Sequence, residues 1–535
     1  MKKLTSLFLA LILVLAMAAP AMAATVTVAN DLSDHTFVAY QIFAGTQGDQ
    51  TSESTALGDV VWGKNVNGEA FLTTLKTDAV LGTSFASCVT VADVAEELSK
   101  HQNHSVVAKA FAKFAYTQKT GDALSLGSGA NELDAGYYLI VDTTRLTDGD
   151  AANAALLQVT GDTIEITVKT DAPEVEKKVK ENAKVVTGDE AYGDQYNDVA
   201  DYNIGDDVPF AFYSAVPDMT YFDTYKYILH DNMDAGLTFN QESVVVKIGE
   251  KTLVSGTDYA VVTENLCEGC DFHIVIENLK AIEGIKTKDA IRVDFTAELN
   301  SNAVIGLNGN VNKVKLEYSN NPNETASTGN TPWDKVIVFT YELDVTKVDG
   351  AVKDDPETAA DETQYLKDAE FKLYRMNGEA KEYVTVDANS KVTGWTGTEN
   401  EATVLTSNEN GKFEVIGLDD GTYYLVETKA PAGYNLLDAP IKVVITAMTV
   451  NDQNWDAEET ANAALTALQI SVDDNTAVDG DTESGIVAMT VENNDGKVLP
   501  ETGGMGTTIL YVGGGLLIAA ALILLVAKKR TAASK

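Results

Sequence analysis

Apolar and polar residues alternate along most of this chain, in short runs separated by Gly, Asp and Asn. Between about 174 and 335 the runs are EVEKKVKEN, DVPFAFYSAV, YKYILHD, SVVVKIG, HIVIENL, IRVDFTAEL and NKVKLEYSN. From 336 onward they are VIVFTYELDVTKVDG, AEFKLYRM, KFEVIGL, YYLVETKAPAGY, IKVVITA and IVAMTVENN. A period of two with polar turns predicts half-buried strands, and many such strands at regular spacing predict β-sandwiches. The first part opens with ATVTVAN and FVAYQIF and closes with AGYYLIVDTT and TIEITVKT. Between them, VADVAEELSKHQNHSVVAKAFAKFAYTQ repeats its apolar positions every three or four residues, as a helix does. The expected fold is mainly β, in tandem Ig-like β-sandwich domains, the first with an added helical segment. Asp171-Ala172-Pro173 breaks the pattern, giving segments at 24–170, 171–335 and 336–496, with terminal pieces at 1–23 and 497–535.

Alternation also exposes residues that do not suit their face. In YYLVETKAPAGY, Tyr423, Leu425 and Glu427 point the same way, so a carboxylate shares a core face. In LDVTK, Leu343 and Val345 bring Lys347 with them, and in IVAMTVENN, Val487, Met489 and Val491 bring Asn493. An amine, an amide and a carboxyl left unpaired inside a sandwich would cost several kcal/mol, so they are expected to meet. Burial lowers a lysine's pKa and raises a carboxylic acid's. The free amine then attacks the Asn amide carbon, the protonated acid polarises the carbonyl and moves the proton, and ammonia leaves. The product is an intramolecular isopeptide bond, made once, with the effective molarity supplied by the fold. The Tyr-rich strands GYYLIVD (136–142) and GTYYLVE (421–427) both end on a carboxylate six residues after a Gly, which suggests related modules. The first has Asp142 but no lysine in ATVTVAN, so no such bond is expected there.

The ends carry signals of export. Lys2 and Lys3, an apolar run and Ala21-Met22-Ala23 read as a secretory signal peptide cleaved between Ala23 and Ala24. Near the other end, Leu499, Pro500, Glu501, Thr502 and Gly503 precede an apolar stretch at 507–527 and the basic Lys528, Lys529 and Arg530. An ordinary transmembrane anchor has that length and basic flank. The pentapeptide ahead of it resembles the cell-wall sorting signal of Gram-positive bacteria. That resemblance implies transient membrane retention, then sortase cleavage between Thr502 and Gly503 and attachment of Thr502 to peptidoglycan. The net charge of −41 becomes more negative once the basic ends are removed, which argues against nucleic acid as a partner.

Candidate enzyme chemistry is sparse. Cys88, Cys267 and Cys270 cannot make a disulfide framework. The Cys267–Cys270 spacing is open to three readings: a local disulfide in a hairpin loop, free thiols as a redox motif, or a metal half-site with His273. The five histidines, His35, His101, His104, His230 and His273, form no metal-ligand or triad spacing. No cofactor, no metal and no enzymatic activity are expected.

LDVTKVDG, LVETKAPAGY and VENN before LPETG resemble the B-type domains of collagen-adhesin-like surface proteins. The resemblance implies a bond between Lys347 and Asn493 with Glu427 as catalyst; strand alternation favours Asn493 over Asn494. The second segment resembles the middle domain of major pilins, which implies a second Lys–Asn pair served by an Asp. Faces select Lys177 over Lys178, Asn320 over Asn321, and Asp231 as the acid.

The order of segments is similar to backbone (shaft) subunits of sortase-assembled pili. That likeness implies as partners a pilin-specific and a housekeeping sortase, identical subunits, peptidoglycan, accessory pilins and a host or matrix ligand. It also implies a linking lysine near the first segment boundary. The family's Tyr-Pro-Lys motif is missing, and in ITVKTDAPEVEKK the candidate is Lys169, with Lys178 and Lys180 as competitors. A monomeric wall-anchored adhesin is the alternative function.

Overall fold

The computed structural model describes residues 24–29, 35–47, 57–102, 105–152, 156–159, 164–166, 172–182, 192–351, 364–450, 455 and 464–494. Ala23, His104, Lys169, Leu499 to Gly503 and the apolar stretch at 507–527 lie outside them, and Ala24 begins the first strand, Ala24–Val28. Among the described residues the strands form three successive pairs of sheets.

In the first pair, Ala24–Val28 lies between Gly129–Leu133 and Ile164–Ile166. The second sheet is centred on Phe37–Gln47 and Gly136–Asp142. The helical run expected over 91–118 divides into Val91–Ser99 and Val106–Gln118. Two N-caps, one just ahead of the run and one inside it, cause this. Thr90 accepts from the Asp93 amide at 3.2 Å while Asp93 accepts from the Thr90 amide at 2.7 Å, and Ser105 accepts from the Ala108 amide at 3.2 Å. His101 therefore falls beyond the end of the first of these helices. Two shorter helices, Gly68–Leu75 and Gly82–Phe85, complete a cover in which Phe71, Leu75, Phe85, Val94, Phe111 and Phe114 pack on Ile42 and Phe43.

The second pair has a six-stranded sheet that includes Val175–Lys180, Asp207–Ala215, Ala290–Leu299 and Leu237–Ile248. It faces a seven-stranded sheet that includes Asp334–Phe339, Asn310–Ser319, Tyr227–Met233 and Phe272–Ile276. The run VIVFTYELDVTKVDG, expected to open the third segment, is split. Asp334–Phe339 completes the second pair of sheets, and after Thr340 the strand Tyr341–Asp349 enters the third. Alternation cannot reveal such a change of sheet, because no Gly, Pro, Asn or Asp marks the break at Thr340.

In the third pair, Tyr341–Asp349 lies between Lys412–Leu418, antiparallel, and Ile486–Asn493, parallel. It packs on an eight-stranded sheet containing Glu370–Asn377, Gly421–Lys429, Ile441–Thr449 and Leu465–Val472. One apolar core runs on from the second pair into the third. At their junction the Tyr341 hydroxyl donates to Asp201 (3.0 Å), Tyr423 donates to Asn203 (3.2 Å), and the Ile204 amide donates to Gly417 O (2.9 Å). Gly306 and Gly485, at φ +72° and +75°, lie back to back there. A Cβ on Gly485 would fall 2.3 Å from the Gly306 nitrogen, so neither position admits a side chain.

The aromatic centre of the second pair is Phe295, which contacts Phe210, Phe212 and Phe272 at centroid separations of 5.5, 5.0 and 5.2 Å. Phe295→Ala should destabilise this unit by about 3–5 kcal/mol, seen as a lowered midpoint in thermal unfolding. An unchanged midpoint would contradict the packing described.

Candidate functional site: two buried lysine–carboxyl–asparagine clusters

In the third pair, three strands bring together the three residues that alternation put on core faces. Lys347 and Asn493 lie on neighbouring parallel strands, in which Lys347 pairs with Val491 and Asp349 with Asn493. They are thus offset by two residues on one face. The Lys347 ammonium is fully buried and donates to the Val491 carbonyl at 3.0 Å. Asn493 is buried as well, its Nδ2 donating to Glu427 Oε2 (3.1 Å) and to the Asn435 carbonyl (2.8 Å). Asn493 Oδ1 and Glu427 Oε1 make no hydrogen bond, although both are buried. Asn494, by contrast, is exposed.

The turn after Glu427 closes this site. The Tyr434 amide donates to the Pro431 carbonyl (3.1 Å), the Tyr434 hydroxyl reaches Asp349 Oδ2 (2.9 Å), and the Leu437 amide donates to Glu427 Oε2 (2.9 Å). Gly411, at φ +72°, lets the backbone approach so that the Lys347 amide reaches its carbonyl at 2.7 Å. Burial pushes the Lys347 amine down to about 8, with Glu427 acting in the opposite direction.

In the second pair, Lys177 comes from one sheet and Asp231 from the other. Both are fully buried and hydrogen-bonded to each other, with Asp231 Oδ1 making no second bond. The rings of Phe212, Phe295 and Phe210 lie 4.8, 5.4 and 5.5 Å from Lys177 Nζ, so the surroundings offer little solvation. Desolvation pushes the lysine down to about 8 and the aspartic acid up to about 7, each shift partly offset by the other group. Lys178 points elsewhere, to Asp198 at 2.7 Å.

Asn320 is not part of this cluster, which corrects the expectation from alternation. Asp231 is paired with Val314, so Asn320 lies six residues farther along, roughly 20 Å at strand rise. There its Oδ1 accepts from Ser327 Oγ at 2.7 Å and its carbonyl accepts from the Ala152 amide at 2.7 Å, which holds the first segment against the second. The amide on that face beside Asp231 is Asn312. It pairs with Met233, diagonally across from Asp231, and with Val336 on its other side. Asn312 is fully buried, and neither its Oδ1 nor its Nδ2 makes a hydrogen bond. Val314, Leu316 and Tyr318 continue its face, so alternation within NKVKLEYSN offers Asn312 as well as Asn320.

In the first pair, Asp142 sits at the end of its Tyr-rich strand as Glu427 does, but it is held by His35 Nδ1 at 2.7 Å and by Thr144. Cys267 and Cys270 form a disulfide in the hairpin before Phe272–Ile276, which settles that spacing in favour of the local disulfide in this structure.

Three family models match parts of the chain. One described as the Gram-positive pilin backbone subunit 2, Cna-B-like domain, covers residues 204–322, which include Asp231 and Asn312. A second, the SpaA prealbumin-like fold domain, covers 356–459 with Glu427. A third, the LPXTG cell wall anchor motif, covers 491–532. The trypsin-resistant surface T6 protein of Streptococcus pyogenes serotype M6 is 26% identical over 275 residues, 48% of this chain and 43% of that protein, so the likeness takes in less than half of the relative's length. The solved T6 backbone pilin of serotype M6 Streptococcus pyogenes, described as a modular three-domain structure, is similar over 89% of this chain and 99% of its own, at 18% identity and a TM-score of 0.50. That is a likeness of fold. Its domain content, a Gram-positive pilin backbone domain, a prealbumin-like SpaA domain and an LPXTG cell wall anchor motif, is similar to that of wall-anchored pilus backbone proteins.

Proposed function

We propose that this chain is a pilus shaft subunit whose second and third sheet pairs are each closed by a self-formed Lys–Asn isopeptide bond. The observation that carries the reading is the repeated cluster: a buried lysine, a buried carboxyl and a buried asparagine amide with unused hydrogen-bonding capacity, in a chain bearing a pilin-backbone domain and an LPXTG anchor. In the third pair Lys347 Nζ attacks Asn493 Cγ. The new C–N bond replaces the bond to Nδ2, and Glu427 carries the lysine proton to the departing nitrogen, which leaves as ammonia. In the second, Lys177, Asn312 and Asp231 take the same roles. Each acid acts once, so the chain is not an enzyme in the sense of turning over a substrate.

Such bonds suit a fibre. Lys347 lies on the strand by which the chain enters the third pair and Asn493 on the one by which it leaves, so tension crosses the bond instead of peeling strands. Pilin polymerisation would join Thr502 of one subunit to a lysine of the next, with Lys169 as the acceptor, and a housekeeping sortase would link the finished fibre to peptidoglycan.

Three experiments test this reading. The intact mass of the exported chain should fall short of its sequence mass by two ammonias. Lys347→Ala, Asn493→Ala or Glu427→Ala should restore one, and Lys177→Ala, Asn312→Ala or Asp231→Ala the other, whereas Asn320→Ala should leave the deficit intact. A full sequence mass in the unmodified protein would end the isopeptide reading.

The second concerns pH. The reactive Lys177–Asp231 pair holds one proton, on the carboxyl. Acid adds a proton and makes ammonium; base strips the carboxyl. The rate of ammonia loss in freshly synthesised chain should therefore peak between about 7 and 8 and fall about tenfold per pH unit on either side. A rate flat across that range would mean that the amine is not activated by this pair.

For polymerisation, extracts of the producing cell should show an SDS-resistant ladder that collapses to one wall-linked species with Lys169→Ala. A single species in the unmodified protein would instead favour the monomeric adhesin.

A further inference from the structure

The inward-facing Asp231 has an outward-facing neighbour, His230, and the chemistry on that outer side is separate from the isopeptide cluster. His230 pairs directly with His273 on the adjacent antiparallel strand, and their rings meet at 4.2 Å and 74°. The hairpin that precedes His273 carries Cys267-Glu268-Gly269-Cys270. It is docked on the same strand by the Asp271 amide, which donates to the Asp231 carbonyl at 2.9 Å. Cys267 Sγ lies 3.5 Å from His273 Nε2 and 3.7 Å from His230 Nδ1. One donor atom from each of His230, Cys267, Cys270 and His273 falls within 4.8 Å of all the others.

We propose that, with the Cys267–Cys270 disulfide reduced, these four side chains form a tetrahedral Cys2His2 site for a borderline-soft divalent cation, of which zinc is the type. Bonds of about 2.0–2.3 Å set donors roughly 3.3–3.8 Å apart, close to the spacings already present between Cys267 and the two imidazoles. Two sulfurs and two nitrogens select zinc over magnesium or calcium. A further feature points to a ligand. His230 is buried and its remote nitrogen, Nε2, is held by Glu317 Oε2 at 3.1 Å, while Lys226 holds the other carboxylate oxygen at 3.0 Å. A carboxylate on the far nitrogen fixes the ring so that Nδ1 faces the sulfurs, as supporting residues do around zinc-bound histidines.

Oxidised and metal-bound states exclude each other, since the sulfur atoms cannot be joined and also serve as two thiolate ligands. A low-molecular-weight thiol is the reductant. Two of its molecules are oxidised to one disulfide while Cys267 and Cys270 become thiols, and zinc then displaces the two thiol protons. The hairpin would thus report thiol conditions at the cell surface by taking up metal.

The test uses the full chain in mild detergent, reduced and then freed of reductant, titrated with zinc chloride against a chromophoric chelator. One zinc per chain is expected, held at least about 100-fold more tightly than by the Cys267→Ser/Cys270→Ser double variant. The latter retains buried Cys88 and so controls for it. His273→Ala and Glu317→Gln should each weaken binding by about 10–100-fold. Cobalt in place of zinc should give the visible bands and thiolate charge-transfer absorption of a tetrahedral S2N2 site. Circular dichroism of each variant checks its fold. The proposal fails if the reduced chain takes no more zinc than the double-serine variant, or if the oxidised chain binds as much as the reduced one.

Discussion

A lysine taken out of water between two β-sheets must lose its charge, find an anion or react, and in this chain that constraint organises two of the three sheet pairs. Lys177 and Lys347 are fully buried, Lys177 among phenylalanine rings, a condition that carries a heavy desolvation cost for an ammonium. Lys177 is hydrogen-bonded to Asp231 with Asn312 diagonally beside that carboxyl, and Glu427 is hydrogen-bonded to Asn493, two residues along from Lys347. The proposed covalent outcome removes the charged group, and with it the cost of keeping that group buried.

The rest of the architecture supplies precision. Parallel pairing of Tyr341–Asp349 with Ile486–Asn493 sets lysine and asparagine two residues apart on one face, and the turn through Pro431 and Tyr434 holds Glu427 against them. In the second pair Lys177 and Asp231 come from facing sheets, so the distance between them depends on the aromatic packing of Phe210, Phe212 and Phe295. The hydrogen bonds at the junctions, from Ala152 to Asn320 and from Tyr341 to Asp201, join successive units. Asn320 thus has a structural task that explains its burial.

A single strand, Tyr227–Met233, serves two environments. Asp231 faces the dry interior, whereas His230 faces the hairpin with its disulfide. Alternation lets one stretch of backbone support a buried lysine–carboxyl cluster on one side and a sulfur–imidazole cluster on the other, without either intruding on the other's space.

The sequence by itself determined the strand-rich class, the faces of Glu427, Lys347, Asn493, Lys177 and Asp231, and the LPXTG wall-anchor motif, because each depends on local pattern or on a contiguous motif. Tertiary structure alone decided position along a strand. Asn312 and Asn320 share a face, and a period of two cannot tell them apart; only the pairing of Asp231 with Val314 does. The change of sheet at Thr340 was hidden for a like reason, since two buried strands in sequence look like one long one. The grouping of His230 with Cys267, Cys270 and His273 spans more than thirty residues of intervening chain and exists only because two strands pair side by side.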